Sequence, residues 1–589
     1  MLSEVARMIP ECLAWVTTCY GTPSHLQFGP HSLSSSTGVQ QGDPFAGHLF
    51  SLTLQPVVEM IVQQVPDLDA HVWFHDDGNA VGELDDLGAV VDIILAEGPQ
   101  RGLYLSTAAT VTPPARPKSS IWCPNKLGPG SNDPLSRGIP RVTESGIVLL
   151  GTPIGDFTFV EKILKAKIKK IQDITKALPD LCQPHLEFSL LKSCLALPKI
   201  VFFLRTTDTT AFPHLLDQFD AVTREALSRI IGGPVSNIEW EQAKLPVVLG
   251  GAGLRAAADH ASIAFATSYL HSFPRVQELL HLPQDELPTL PVPLLTSIST
   301  LFQEQVTVES LQGHSQHTAS LKIDQSLHLQ LSEKLARLGS EREVARLACV
   351  SLADSHAGDW LTAIPSAALG LLLQPQEFVA ALRYRLGHPV YARDGPCPAC
   401  GSHSDRMGDH SMNCAWHGER IARHNWLRDE LYNTAVAASL GPTREGRALL
   451  PDSGGKPADV FIPHWTGGKD TALDVTVVNP LQEALVHGAA NSPGHALTVA
   501  HDRKLDKAWE QCNRAGIAFI PIAVESLGAW HKSAISEVKK LGSAKARQNG
   551  EEESVEISRL FQKLSVALMR GNCALFNNRV PSTEAGLTS

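Results

Sequence analysis

The chain has no run of eighteen apolar residues, and its first residues lack the basic-then-apolar pattern of a secretory leader. A membrane span and a signal peptide are therefore not expected. Positive charge is also short: 50 Lys and Arg stand against 61 Asp and Glu, a net charge of −11. No global positive field draws in a polyanion, although a local basic stripe can act against the overall sign. Cysteine is sparse, with 11 in 589 residues, and only Cys397 and Cys400 lie close together. An odd count without a leader predicts reduced thiols in a nuclear or cytoplasmic protein. There is no internal repeat. What is present, 43% hydrophobic and 19% charged residues, predicts a globular chain of several domains, each with its own core.

The close cysteine pair opens Cys397-Pro398-Ala399-Cys400, and His410 and Cys414 follow in the pattern C-x2-C-x9-H-x3-C. Two thiolates separated by two residues chelate one ion from a tight turn, and a His/Cys pair closes a tetrahedron around it. Gly395, Pro396 and Gly401 supply turn residues. Thiolate-rich ligation favours Zn²⁺ over Mg²⁺ or Ca²⁺. His403 and His417 compete for the imidazole position; His403 lies only three residues from Cys400, so His410 is preferred on reach. A metal held this way supplies folding energy to a segment with little core, so the expected zinc is structural.

Further on, Pro457–Ile462 and Ala472–Val478 both read as strands around a turn-rich segment, His464-Trp465-Thr466-Gly467-Gly468-Lys469-Asp470. An antiparallel hairpin sets Asp459 and Asp474 on neighbouring strands, near opposite one another. Opposed Cβ atoms lie roughly 4.5–5.5 Å apart, and like charges there are destabilising without a cation between them. Alternation puts Leu473, Val475 and Val477 on the face away from Asp474. A helix over about 498–512 follows, with an apolar stripe of Leu505, Ala508, Trp509 and Cys512. It also carries Lys504 and Lys507. A lysine from this helix can orient an attacking water or offset charge on a phosphate. The run Ile517–Val524 then completes a strand–helix–strand sandwich. Glu430 and Glu525 are weaker further ligands, and Arg423 and His424 read as core or cap residues.

Near the N-terminus, Gly38-Val39-Gln40-Gln41-Gly42-Asp43-Pro44 precedes Phe74-His75-Asp76-Asp77 by about thirty residues. The apolar run before Asp76 and Asp77 and the Gly78 after them predict a hairpin holding carboxylates at its tip, where oxygen ligands suit Mg²⁺. Gln40, Gln41 and Gly42 can lie against a nucleotide or template. Helices are expected over 2–19 and 45–64, and 146–151 reads as a short buried strand. The segment 108–118, rich in Thr and Pro, reads as a loop. Over 160–178, Ile163, Leu164, Ile168, Ile171, Ile174 and Leu178 share a helix face while six lysines crowd the rest. Such a helix either presents a solvated face or binds phosphates. Amphipathic helices are also expected over 323–352, 375–386 and 557–569.

Gln40–Gly42 with Asp76 and Asp77, in this order and spacing, resemble motifs B and C of a reverse transcriptase palm. The Cys/His cluster, Arg423-His424-Asn425, the Asp459 and Asp474 hairpin and the lysine-bearing helix look like the zinc knuckle and restriction-like endonuclease of certain non-long-terminal-repeat retrotransposons. That family sets its nuclease C-terminal to its polymerase, the order found here. The resemblance implies a multidomain α/β chain. Its parts are a partial palm at 1–155, a helical thumb at 156–282, a helical connector at 283–390, a zinc knuckle and helix at 391–440, a restriction-like domain at 441–545 and a tail at 546–589. It implies Asp459 and Asp474 as Mg²⁺ ligands and Lys504 or Lys507 as the catalytic lysine, because Thr476 stands where many restriction-like folds place theirs. The implied partners are target DNA and the element's RNA, and the activity is DNA nicking that primes reverse transcription. A palm also needs an aspartate before the glutamine motif to complete a two-metal site. Only Glu4 and Glu11 are acidic before Gly38, so this chain is expected to lack the fingers and the first catalytic aspartate and to be inactive as a polymerase. The alternative is a nucleic-acid-binding remnant without turnover.

Overall fold

A computed structural model of the chain describes residues 1–107, 118–123, 137–140, 142, 145–283, 285–416, 418–445 and 458–581. Most of the segment 108–118, His417, Pro457 and the final 582–589 stretch lie outside the described residues. Among the described residues the fold is mixed α/β, rich in helix, with small sheets and no closed barrel. It divides into two compact units: Met1–Ile163 with Ser272–Pro288, and Leu164–His271 with Thr289–Ser589. Among the described residues no helix is long and apolar enough to cross a membrane.

The described residues of the first unit form three separate antiparallel hairpins: β1 (Ser24–Phe28) with β2 (His31–Ser35), β3 (Ala70–Phe74) with β4 (Asp77–Val81), and β5 (Gly146–Leu149) with β6 (Thr152–Gly155). Its main core forms where the helices Ala46–Gln64 and Leu84–Glu97 pack Val57, Ile61, Val90 and Ile94 together, with Trp73 and Ala80 of the second hairpin against them. Apolar residues recur every three or four positions in both helices, as one buried stripe requires. The β3–β4 loop is the two-residue turn His75-Asp76. His75 adopts φ +55°, the left-handed backbone such a turn demands of its first residue.

The second unit has several core clusters, of which the main one crosses from helices to sheet. It joins Phe188, Leu227 and Phe378 of helices to Leu473 and Ile522 of a sheet and Phe561 of the C-terminal helix Glu553–Asn577. That helix is longer than the 557–569 expectation and lies at the centre of the unit, with Phe561, Leu564 and Leu575 fully buried. Other expected helices appear as Gln316–Arg337, Glu341–Val350 and Pro375–Leu386.

The small clip of β7 (Gly395–Pro396) and β8 (His403–Ser404) precedes the only sheet of more than two strands among the described residues. Its order is β12-β11-β10-β9, with β9 (Thr443–Arg444), β10 (Val460–Thr466), β11 (Lys469–Val478) and β12 (Ala518–Glu525). β10 and β11 form the antiparallel hairpin, and β12 lies parallel to β11 from Thr471↔Ala518 to Val478↔Glu525. Parallel neighbours need a crossover, and the helices Glu483–Asn491 and His495–Arg514 provide it. β11 is buried on both faces over most of its length, in keeping with Ala472, Leu473, Val475, Val477 and Val478 along it.

Two details of the sequence reading need correction. In the helix Phe157–Ala177, Ile174 is exposed and Thr175 takes the buried position, its hydroxyl bonded to the Ile171 carbonyl at 2.8 Å. A 3.6-residue period carries the stripe 164, 168, 171, 175, 178, so Ile174 rotates out. In the helix His495–Arg514, Trp509 is half exposed, because Leu505, Ala508 and Cys512 already cover the sheet.

Candidate functional site

The cysteine cluster is assembled by local hydrogen bonding. Gly401, at φ +75°, donates its N–H to the Cys397 carbonyl at 2.8 Å, and the Cys397 N–H reaches the Ser402 carbonyl at 2.8 Å. A residue with a Cβ is rarely accommodated at such a φ, hence the glycine. The short helix Asp409–Asn413 then presents His410. Its first N–H groups are capped by Asp405, at 3.1 Å from the Asp409 nitrogen and 2.8 Å from that of His410. The ligand atoms of Cys397, Cys400, His410 and Cys414 all lie within 4.8 Å of one another, and Cys400 Sγ is 3.3 Å from His410 Nε2. A zinc tetrahedron with Zn–S near 2.3 Å has sulfur–sulfur edges of about 3.8 Å, so this Cys3His group fits a zinc ion. Burial pushes the Cys397 thiol up, while the Ser402 N–H holds Cys400 below its ordinary value. Burial also lowers His410, favouring the neutral imidazole that ligates. His403 is exposed on β8 and stands outside the ligand group.

This cluster is tied into the second unit. Arg342 clamps Asp409, with Nη2 at 2.9 Å from Oδ1, and the Tyr391 hydroxyl donates to the Phe576 carbonyl at 2.8 Å. Arg579, fully buried, reaches Glu419 at 2.9 Å and the Cys414 carbonyl at 3.4 Å.

The second constellation lies at the open end of the β10–β11 hairpin. Val460 pairs with Leu473, so Asp459 stands opposite Asp474 at the next register step. The Asp459 N–H still bonds the Leu473 carbonyl at 2.9 Å, but there the ladder stops. The next β11 donor on that side, Val475 N–H, is taken by the Asp459 carboxylate itself, at 2.7 Å from Oδ2. The carboxyl groups of Asp459 and Asp474 face each other within hydrogen-bonding reach.

On the helix His495–Arg514, Leu497 and Ala500 pack on Val478 and Ala523, while Ala508 and Cys512 pack on Ala472 and Phe519. Lys504 lies between these apolar contacts and places Nζ 2.7 Å from Asp474 Oδ2. Lys507, three residues on, is exposed. Burial pushes the Asp474 carboxyl up to about 6, against the pull of the Lys504 ammonium. Burial also opposes ionisation of Asp459, but His424 and the Val475 N–H more than compensate, and its pKa lies below the ordinary value.

His424 is the residue that sequence reasoning missed. Its Nε2 stands 2.9 Å from Asp459 Oδ2, across 35 positions of chain. Burial lowers its imidazole, yet the hydrogen bond and charge of Asp459 prevail and raise it. Arg423 does belong to the core, with Nη1 2.8 Å from Asn572 Oδ1. The only available signal was an Arg-His pair on the helix after the Cys/His cluster. Glu430 lies 3.9 Å from Lys563, and Glu525 is fully buried beside Cys349. Glu525 pairs with Val478, four residues beyond Asp474 and hence roughly 13 Å along the sheet. Neither joins the carboxylate pair.

In the first unit, Asp76 and Asp77 are exposed at the β3–β4 tip. His75 packs toward the start of the helix Ala46–Gln64, where a Cβ on Gly47 would come 3.0 Å from its ring. The Gln40–Gly42 loop leads into that same helix, so both motifs meet at one end of it. Gln40 and Gln41 are exposed, and Gln40 N–H reaches the Tyr20 hydroxyl at 3.4 Å. Among the described residues the Cys3His cluster is the sole group of three or more His, Cys, Asp or Glu side chains with ligand atoms so close. No third carboxylate among the described residues joins Asp76 and Asp77 in such a group. No family model and no curated protein matches this chain.

Proposed function

We propose that the chain is a retrotransposon-derived protein whose C-terminal sheet is a Mg²⁺-dependent DNA-nicking site, with Zn²⁺ stabilising the adjoining knuckle. One observation carries this reading: two half-buried carboxyl groups and a lysine, drawn from a hairpin and a separate helix, converge within hydrogen-bonding distance. Like charges brought together in partial burial are unfavourable unless a cation serves them. Asp459 and Asp474 would hold Mg²⁺, which binds through one or two carboxylates and completes its shell with water and substrate phosphate. When bound, the ion polarises the scissile phosphate and lowers the pKa of a coordinated water.

The protein's own groups have separable tasks. Asp459 keeps its charge through the Val475 N–H and His424. Lys504 holds Asp474 ionised where burial would protonate it, and its ammonium is poised beside any phosphate drawn to the pair. The polymerase resemblance at 1–155 is weaker, because Asp76 and Asp77 lack a third carboxylate among the described residues. Target DNA and the element's RNA are the proposed partners, in the nucleus or cytoplasm. A second reading, nucleic-acid binding without turnover, draws support from Lys504, which already neutralises Asp474 and makes the cluster self-satisfied.

Incubating the purified full chain with supercoiled plasmid and Mg²⁺ or Mn²⁺ separates the two. Nicking that Asp459→Ala and Asp474→Ala each abolish supports the enzyme. Plasmid binding with no nicking in either metal leaves the second reading.

A further inference from the structure

The His424–Asp459 contact helps keep Asp459 charged, and its geometry is specific. Asp459 Oδ2 receives two donors at once: the Val475 N–H at 2.7 Å and His424 Nε2 at 2.9 Å. A carboxylate oxygen has two lone-pair sites, so Oδ2 is filled and Oδ1 is the oxygen left for a cation. The Val475 donor is fixed because it belongs to β11. The imidazole is fixed from both sides along its helix, Glu419–Ala437. Arg423, the preceding residue, is locked against the C-terminal helix, where a Cβ on Gly571 would come 2.4 Å from its Cγ. One turn on, Arg428 reaches Glu445 at 2.8 Å, and the Glu445 N–H bonds the Asp459 carbonyl at 3.0 Å. Side chains four apart on a helix share a face, so His424 and Arg428 hold two residues, Asp459 and Glu445, that are themselves joined by a backbone hydrogen bond. Without the imidazole, the Val475 N–H would be the one remaining hydrogen bond described at Oδ2.

We propose that His424 is a positioning residue that fixes the Asp459 carboxylate by occupying Oδ2, so that Oδ1 meets a divalent cation shared with Asp474. This rests on the reading of Asp459 and Asp474 as a metal site. Partners that hold a metal ligand in orientation change metal affinity or activity by about 10–100-fold when removed.

The test measures Mn²⁺ binding to the full chain with its knuckle loaded with Zn²⁺, by electron paramagnetic resonance titration of free Mn²⁺. Asp459→Ala and Asp474→Ala are expected to abolish binding. His424→Ala is expected to weaken it about 10–100-fold, and His424→Gln, whose amide nitrogen reaches about as far as Nε2, restores most of the loss. Should the two aspartate variants bind Mn²⁺ as the parent does, the metal site itself is wrong and this proposal falls with it. Loss in those variants with parental affinity in His424→Ala overturns the role of His424 alone. If His424→Ala does not fold, His424→Asn against His424→Gln decides. Asn is too short to reach Oδ2 and must bind at least about tenfold more weakly; equal affinity overturns the proposal.

Discussion

Lys504 Nζ lies 2.7 Å from Asp474 Oδ2, whereas Lys507 on the same helix faces solvent. Sequence left the two lysines equivalent; helix phase separates them. Lys504→Ala is expected to lower plasmid nicking on the order of 100-fold, the usual cost of removing one preorganised electrostatic contact. Lys507→Ala should stay within about twofold, as expected of an exposed side chain outside the cluster. Initial nicking rates at saturating Mg²⁺ give the comparison, and equal losses in both variants would remove Lys504 from its role.

The Cys3His group should hold about one zinc per chain. His410→Ala is expected to release it, and His403→Ala to leave zinc content unchanged, because His403 stands outside the ligand set. Chelation should melt the knuckle and lower the melting temperature. Elemental analysis paired with thermal denaturation tests this; a fully folded, metal-free preparation refutes it.

Glu525 gives the protein a pH dependence of definite sign. Burial pushes its carboxyl up to about 7, with the Cys349 thiol opposing, so the folded state keeps a proton that the unfolded chain sheds near its ordinary value of 4.5. Its contribution is intact below about pH 4.5 and is lost as pH rises through about 7. Glu525→Gln should remove that loss and stabilise the protein above pH 7 by about 3 kcal/mol. Asp220, buried while accepting from the Ala257 and Ala258 N–H groups, is also raised to about 7 and declines with the same sign. The variant should therefore flatten the slope without abolishing it. Urea denaturation of parent and variant between pH 4 and 8 measures the difference; a Glu525→Gln variant with the parent's pH slope contradicts the assignment.

The double aspartate of the first unit should be dispensable for nicking. Asp76→Ala and Asp77→Ala, both exposed, are expected to change stability within about 0.5 kcal/mol and to leave plasmid nicking unaffected. The chain itself should show no template-directed primer extension. Extension that Asp76→Ala eliminates would reverse this reading.

Much of the local geometry was legible in the residues because it is local. The turn at His75-Asp76, the spacing of Cys397 to Cys414 and the alternation that sets Asp459 opposite Asp474 all follow from short-range rules. What escaped was tertiary. His424 meets Asp459 because the helix Glu419–Ala437 is pinned by Glu445 just beyond it and by Asn572, 149 positions from Arg423. Glu525 looked like a spare ligand at a strand end, yet parallel pairing carries it deep beside Cys349. Thr175 replaced Ile174 because helix rotation outweighed hydrophobicity at one position.

The central placement of Glu553–Asn577 has a consequence for biosynthesis. The helices that it covers, Pro375–Leu386, Glu419–Ala437 and Lys532–Asn549, leave the ribosome before it does. At about 5–20 residues per second, translation from Glu525 to Asn577 takes roughly 3–10 s. Throughout that interval the helices Pro375–Leu386 and Glu419–Ala437 have an apolar face uncovered. A premature stop before Glu553 would make the exposure permanent and turn the product into an aggregation substrate.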